Sequence, residues 1–410
     1  MFIRIIVLSA LSLAFAGCKV EISDTKNGRV ESESGAYTCD SGDTCVIDVV
    51  DTFFDETFQA KPDQGFIFTA WRTKPHSICG GSSKPCRLAT RIFSGTPLMN
   101  ILESDGVYYL EPVFGKRNSW RDRAATFYGG VGAAACAMRG ELYAMGLGWG
   151  SGAIGKVEVY NPVANSWRAL APMQTPRNWV TASVVKNKCY VIGGGNASMA
   201  PAMATVEAYD PGTNSWQTRT SLPEGRQSAG SAVVKGKIYV IGGGDAVRWD
   251  DATLASVAIY DPTTDTWSEG ADMPTPRKGV GVAAVDGLVY AVGGMNYDMG
   301  IYSSGIVERY DPAIDQWTTL PSMPVKRSHL VATALNGKLY AAGGLIDQGS
   351  NTASTVYSYD PQSNQWTQRA DMSTARYAPA TALLDGQMYV VGGRPFREFA
   401  STRVTEEYTP

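Results

Sequence analysis

KIYVIGG (residues 237–243) and YDPGTNSW (residues 209–216) decide how this chain folds, because both recur down the sequence. The first is a strand pattern closed by a glycine pair. Equivalent pairs end at Gly194, Gly243, Gly294, Gly344 and Gly393. The second opens with tyrosine, turns through Asp-Pro or Asn-Pro, and ends in tryptophan. Its tyrosines are Tyr160, Tyr209, Tyr260, Tyr310 and Tyr359, and Trp120, Trp167, Trp216, Trp267, Trp317 and Trp366 recur every 47 to 51 residues. A period of that length outranks any local motif, since it marks one supersecondary unit that buries its faces only against neighbouring copies. Proline's fixed φ and the aspartate's local hydrogen bond set the turn, and paired glycines let backbone approach backbone. Tyrosine and tryptophan fill the gaps between units.

These residues resemble the kelch motif, and the resemblance covers residues 118–410. It implies an all-β fold: a six-bladed kelch β-propeller built from four-stranded blades. Residues 376–410 supply three strands ending in VTEEYTP, with Tyr408 at the repeated tyrosine position and no tryptophan after it. The missing strand lies at the other end, in NSWRDRA around Trp120, so strand 118–124 is expected to close the sixth blade with 376–410. The first full unit is degenerate, with Gly146-Leu147-Gly148 for the glycine pair and Gly130 where arginine is expected. Arg177, Arg226, Arg277, Arg327 and Arg376 stand thirteen residues before a strand tyrosine. Five arginines at one register read either as an anion-binding ring or as scaffold. The resemblance implies scaffold, a hydrogen-bonder between blades.

The rest of the composition fits such a fold. The chain has 410 residues, 44 glycines, 21 prolines and only 18% charged residues, a composition of many short strands. With 36 basic against 39 acidic residues it lacks the positive excess that phosphate-backbone binding needs, so nucleic acid is not an expected partner.

Residues 1–17 read as an export signal, with one arginine, an apolar run and small residues before Cys18. Phe15-Ala16-Gly17-Cys18 resembles a bacterial lipoprotein box, which implies a lipid on Cys18, a membrane partner and, with Lys19 following, the outer membrane of the cell envelope. An ordinary signal cleaved near Ala16 is the alternative. Residues 18–27 read as a polar tether and 28–115 as a small β-rich domain. That domain holds Cys39, Cys45, Cys79 and Cys86, whose short separations favour the bridges Cys39–Cys45 and Cys79–Cys86 over zinc ligation. Gly28-Arg29-Val30, the run from Ala60 to Trp71, and the Cys79-Gly80-Gly81 hairpin resemble a divergent internalin-type B repeat. Such modules are mostly spacers, with Trp71 a core residue. Cys136 and Cys189 fall in strands of the propeller, where buried thiols or a pair are expected in preference to catalysis.

Function is sought in the loops between second and third strands, which are long and unlike one another, as in GGMNYDMGIYSSG (293–305) and GGRPFREFASTR (392–403). The binding candidates are Trp149, Trp179, Arg248, Trp249, Tyr297, Tyr302, His329, Arg394, Phe396 and Arg397. Aromatic faces beside arginines and carboxylates suit a protein loop or a glycan. The plainer reading packs such aromatics loop on loop. No cofactor or metal is called for, because a galactose-oxidase-like copper site needs two histidines in the propeller and only His329 lies there. A six-bladed exported propeller also resembles the periplasmic N-acetylneuraminate epimerases; on that reading His329, Asp250, Arg394 and Glu398, with Arg248, would supply acid and base. The reading preferred here is a lipid-anchored, monomeric binding protein, with sugar epimerisation second and a structural role third.

Overall fold

The computed structural model describes residues 18–49, 53–90, 106–148, 155–196, 201–245, 252–297, 299–398 and 400–410. The export signal at 1–17 lies outside them. Two compact units divide the chain, Met1–Gly115 and Lys116–Pro410.

The first unit is built from short strands. Its larger sheet orders Thr38–Cys39, Gly28–Ser32, Asp55–Pro62 and Cys86–Ala89. Disulfides join Cys39 to Cys45 and Cys79 to Cys86. Trp71 is fully buried, and its indole N–H donates to the carbonyl of Lys84 (2.9 Å) within the second bridged hairpin. The tether reading of residues 18–27 is corrected. Cys18–Ile22 is the central strand of a three-stranded sheet, antiparallel to Cys45–Val49 and parallel to Val107–Leu110. Cys18, Val20 and Ile22 point into the core while Lys19 is exposed. Two inward apolar residues are too few to look like a strand in a polar segment; partners distant in sequence supply the pairing.

The second unit contains six four-stranded antiparallel sheets. Blade 2 is typical, with strands Thr181–Val185, Lys188–Ile192, Val206–Asp210 and Ser215–Arg219. In blade 6, Ala380–Leu384, Gln387–Val391 and Thr405–Thr409 are joined by Ser119–Arg123 from the start of the unit. This seam is bonded through side chains as well. Glu407, buried, accepts from Arg121 (3.0 Å), Gln387 (2.9 Å), Tyr389 (2.7 Å) and Arg123.

The repeated residues turn out to be inter-blade fasteners. Each tryptophan indole donates to a backbone carbonyl of the preceding blade or the link beside it: Trp167 to Ala124 (2.7 Å), Trp216 to Ala171 (2.9 Å), Trp267 to Thr220 (2.9 Å), Trp317 to Ala271 (2.8 Å), Trp366 to Pro321 (3.1 Å) and Trp120 to Ala370 (2.7 Å). The tyrosine hydroxyl donates to the acceptor five residues on, as in Tyr209 to Asn214 (2.9 Å), whose Oδ1 also takes the N–H of Ala171 (3.2 Å). Asn118 does the same for Tyr408 (2.7 Å) and Ala370 (3.0 Å), so the seam strand carries both residues that the sixth repeat lacks.

The five arginines are buried scaffold, but the expectation that their side chains bond between blades is corrected: each guanidinium bonds groups of its own blade. Arg177 donates to the carbonyls of Gly193 (2.9 Å), Val191 (3.0 Å) and Thr175 (2.9 Å) and to Glu207. Arg277 and Glu308 pair at 2.6 Å with both side chains 1% exposed. Blade 1 has Gly130 at this position, and Leu147 lies where a side chain on Gly130 would go. Its Glu158 accepts instead from the N–H groups of Phe127 (2.8 Å) and Tyr128 (3.0 Å). A third disulfide, Cys136–Cys189, staples this blade to the next.

Two outcomes follow. Arg277→Met strands the Glu308 charge and should cost ~3–5 kcal/mol in chemical denaturation, with Arg277→Met/Glu308→Leu recovering most of it. Deleting residues 404–410 unpairs the strand on each side and should lower the thermal midpoint or cause aggregation; a melt matching the intact chain would refute closure by a shared blade.

Candidate functional site

The first strand of every blade lines the central axis, and the residue two past the arginine position marks where each enters. These residues are Gly132, Trp179, Ser228, Gly279, His329 and Ala378, and all six have positive φ, from 48° to 70°. They form a ring of backbone bonds. Ala378 N donates to His329 O (2.8 Å), His329 N to Gly279 O (2.7 Å), Gly279 N to Ser228 O (2.8 Å), Ser228 N to Trp179 O (3.0 Å) and Gly132 N to Ala378 O (2.9 Å); Val180 N closes the circuit on Gly132 O (3.2 Å).

Two of the six carry large side chains, and these meet. Trp179 and His329, from blades 2 and 5, pack edge to face with centroids 5.5 Å apart. Each rests where a glycine makes room: a Cβ on Gly132 would lie 2.8 Å from the indole, and one on Gly279 would lie 2.8 Å from the imidazole. Behind them the axis is a narrow cavity of about 170 Å³ lined by small residues of the first strands, such as Ala134, Thr181, Ser231 and Ala332. His329 also packs edge to face on Tyr377 (6.3 Å), and among the described residues its Nδ1 has no hydrogen-bond partner. Burial, then the nearby Lys278 charge, pushes its pKa down to about 4, so the ring is neutral at pH 7.

The residue directly after each arginine is the position that reading the sequence missed. It forms a two-residue antiparallel bridge with the residue after the glycine pair: Asn178 with Gly195, Gln227 with Gly244, Lys278 with Met295, Ser328 with Leu345, and Tyr377 with Arg394. Blades 2 and 3 have a third glycine there. Blades 4, 5 and 6 present Met295, Leu345 and Arg394 instead, and a cavity of about 510 Å³ is lined by these three. Tyr297, Tyr377, Phe396, Arg397 and Glu398 complete most of its wall. The signal was visible as GGG, GGG, GGM, GGL and GGR, but only as a position whose side chains point into the mouth.

Of the predicted residues, the structure gathers Tyr297, Arg394, Phe396, Arg397 and Glu398 at this one cavity. The Arg394 guanidinium lies 5.3 Å from the Tyr377 ring centroid, and Lys278 Nζ lies 5.3 Å from that of Tyr297. Burial pushes the Tyr297 phenol up to about 12, so it stays a neutral donor. Tyr302 is exposed and packs edge to face on Tyr297 (4.9 Å). Phe396 packs partly on Val131, Leu345 and Tyr377, as the loop-on-loop reading has it. Trp179 and His329 lie on the axis instead, lining the narrower cavity. Trp149, Arg248, Trp249 and Asp250 lie outside the described residues.

The neutral histidine ties stability to pH. Its folded pKa is depressed below the usual 6.5, so the unfolded chain takes up the proton first and stability is lost as pH falls from about 6.5 toward 4, by up to ~3 kcal/mol. His329→Asn, which tolerates the left-handed backbone, should flatten this part of the profile in urea melts at pH 7, 5.5 and 4.5. An unchanged slope would show that another group carries it.

The kelch motif family matches residues 129–174, 276–324 and 326–373, and the KLHDC2/KLHL20/DRC7 kelch-repeats domain matches residues 154–294. Kelch-like protein 7 of Rattus norvegicus is 50% identical over 143 residues, 35% of this chain and 24% of that protein. Kelch-like protein 35 of Mus musculus is 28% identical over 183 residues, 43% of this chain and 29% of its own. Kelch-like ECH-associated protein 1B of Danio rerio is 35% identical over 138 residues, 34% and 15% of the two chains. This chain thus spans less than a third of the length of these relatives. The solved structure of YjhT superposes with a TM-score of 0.60 at 18% identity, covering 69% of this chain and 95% of YjhT, a likeness of fold. With six four-stranded sheets and kelch repeats along them, residues 116–410 are a six-bladed kelch β-propeller, preceded by a small disulfide-containing β domain.

Proposed function

We propose that this protein is an exported binding protein, anchored through a lipid on Cys18, whose thiol, buried in the strand described above, would turn out of the core when acylated, and that its propeller engages a protein or glycan at the cavity of blades 4 to 6. The observation that carries the reading is the break in repeat symmetry. Three blades replace a glycine with Met295, Leu345 and Arg394, and the recess there is walled by aromatic rings and arginines. A scaffold without a ligand has no need to differ at a position whose backbone pairing is the same in five blades.

Epimerisation would need an acid and a base facing one sugar ring. His329 lies on the axis between Trp179 and Tyr377, whereas Glu398 lines the other cavity, so these two do not form an acid–base pair at one pocket. That separation favours binding over proton transfer.

The test is a glycan array and a cell-surface pull-down with the purified full chain, repeated with Arg394→Ala and Phe396→Ala. Each variant should weaken capture by about 30-fold, the loss of ~2 kcal/mol typical of a central contact. Capture unaffected by both variants would move the site elsewhere. Cys18→Ser should release the protein from the membrane fraction; retention without any change in lipid labelling would remove the anchor.

A further inference from the structure

We propose that blade 3 binds a small monovalent anion, chloride in a physiological medium, beside the buried guanidinium of Arg226. The argument begins with the second residue of each third strand, Glu207 in the strand Val206–Asp210. Blades 2, 4 and 6 carry Glu207, Glu308 and Glu406 there, each buried and paired with the arginine of its own blade. Blade 1 lacks the arginine, and its Glu158 takes backbone N–H groups instead. Blades 3 and 5 keep the arginine without the carboxylate: at the same register stand Ala258 and Tyr357. A buried cation that has lost its counter-charge is the costliest form of such a pair, so both blades need another source of compensation.

Blade 5 finds it within the chain. The Tyr357 ring centroid lies 5.5 Å from the Arg327 guanidinium carbon, and the guanidinium donates to the carbonyls of Gly343 (2.9 Å) and Thr355 (2.9 Å) and to Thr355 Oγ1 (3.0 Å). Blade 3 has only an alanine at that place. Arg226 is 3% exposed, and its hydrogen bonds reach neutral acceptors alone, the carbonyls of Gly242 (3.3 Å) and Ser256 (3.1 Å) and the Ser256 hydroxyl (2.9 Å). Among the described residues its Nε has no partner. The Nε of Arg376 has none either, but that arginine has Glu406 for its charge. The carboxylates whose charge reaches Arg226 are Glu224 and Asp272. Glu224 Oε2 lies 3.8 Å from Nη2 on a side chain 53% exposed, and an ion pair so open to water compensates little. Ala258 is buried and ends at Cβ, where Glu207 and Glu308 carry a carboxylate to the guanidinium. A halide supplies the same single charge, accepts several N–H groups at once and brings no donor of its own to satisfy. Sulfate would bring a second charge and more oxygens than one guanidinium can serve.

Thermal melts of the full chain in potassium chloride and in potassium gluconate at equal ionic strength test this. Chloride held by the folded state alone should raise the midpoint by about 3 °C over gluconate, which is too large to enter. Ala258→Glu puts the carboxylate back; it should melt in gluconate no lower than the parent does in chloride, with no chloride shift left. Glu224→Gln removes the rival at ion-pair distance and should enlarge the shift. Crystals soaked in bromide should show anomalous density beside Arg226, a reading that stands even where a variant fails to fold. Equal parent midpoints in the two salts, a chloride shift that survives in Ala258→Glu, or no bromide at Arg226 would each overturn the proposal. A Glu224→Gln variant that melts lower in both salts and shows no shift would make Glu224 the counter-charge and overturn it as well.

Discussion

A circuit of backbone hydrogen bonds around the axis is the constraint on which the propeller depends. Six residues, one per blade, hold a left-handed backbone; five of them donate their own N–H to a neighbour's carbonyl, and the N–H of Val180, next to Trp179, makes the sixth link. Only two are glycine. For Trp179, Ser228, His329 and Ala378 that backbone costs roughly 1 kcal/mol each, a strain that persists only because the blades on both sides over-determine it. The buried arginines explain how they do so. Each gathers carbonyls at the end of its blade's second strand, and the carbonyls of Arg226, Arg277, Arg327 and Arg376 accept the N–H of the second glycine of the pair in the preceding blade, as Arg226 does for Gly194. The arginine thus fixes the backbone two residues before the left-handed turn, while the tryptophan and tyrosine fasten the outer edge. Axis and rim are held by separate sets of groups, and side chains between them are free to differ.

That separation explains how much of this molecule can be read from sequence. Residues that make inter-blade bonds must recur, because every blade faces the same geometrical problem, and so Tyr209, Trp216, Gly194 and Arg226 announce themselves by period. Even the seam was legible: a strand lacking its tryptophan and a tryptophan lacking its strand are two halves of one repeat, and Asn118 and Trp120 restore both hydrogen bonds of the sixth blade. Residues that do not recur carry no such signal. Met295 and Leu345 looked like the tail of a glycine motif, and the direction they share with Arg394, itself a candidate from its loop, appears only once the bridges to Lys278, Ser328 and Tyr377 are known. Trp179 and His329 stand out by register, yet sequence could not say that they touch each other across the axis. Cys18–Ile22 failed for the converse reason, since a central strand whose partners lie at Cys45–Val49 and Val107–Leu110 owes its structure to pairing rather than to its own composition.

Blade 1 shows what happens when the fastening is given up. With Gly130 in place of arginine, no guanidinium among the described residues bonds the carbonyls at the end of its second strand, and Glu158 is left as a buried carboxylate bonded to two backbone N–H groups, its pKa raised by burial. The ring still closes there. Gly132 is one of the two glycines in the circuit, so the link that lacks an arginine is also one that bears no left-handed strain from a side chain. The Cys136–Cys189 bridge then ties this blade covalently to its neighbour. Loss of one fastener goes with lower strain in the circuit and with a covalent tie from the same blade to the next.

The axial pair gives this arrangement a functional direction. Trp179 and His329 sit over Gly132 and Gly279, so the two glycines of the circuit are the two positions that a large neighbouring ring overlies. The rings occupy the mouth end of the axis without being able to share their places with side chains from those blades. Tyr377 joins the two regions, since it packs on His329 with one part of its ring environment and lines the larger cavity with another. An aromatic series from Trp179 through His329 to Tyr377 therefore runs from the axis to the recess, and Arg394 lies against its last member. The cavity is built against side chains that are themselves seated on the closed backbone ring. On the proposed reading, a ligand pressing on Tyr377 would meet a surface with little room to yield, the preorganisation by which a small recess holds a partner without first having to be ordered.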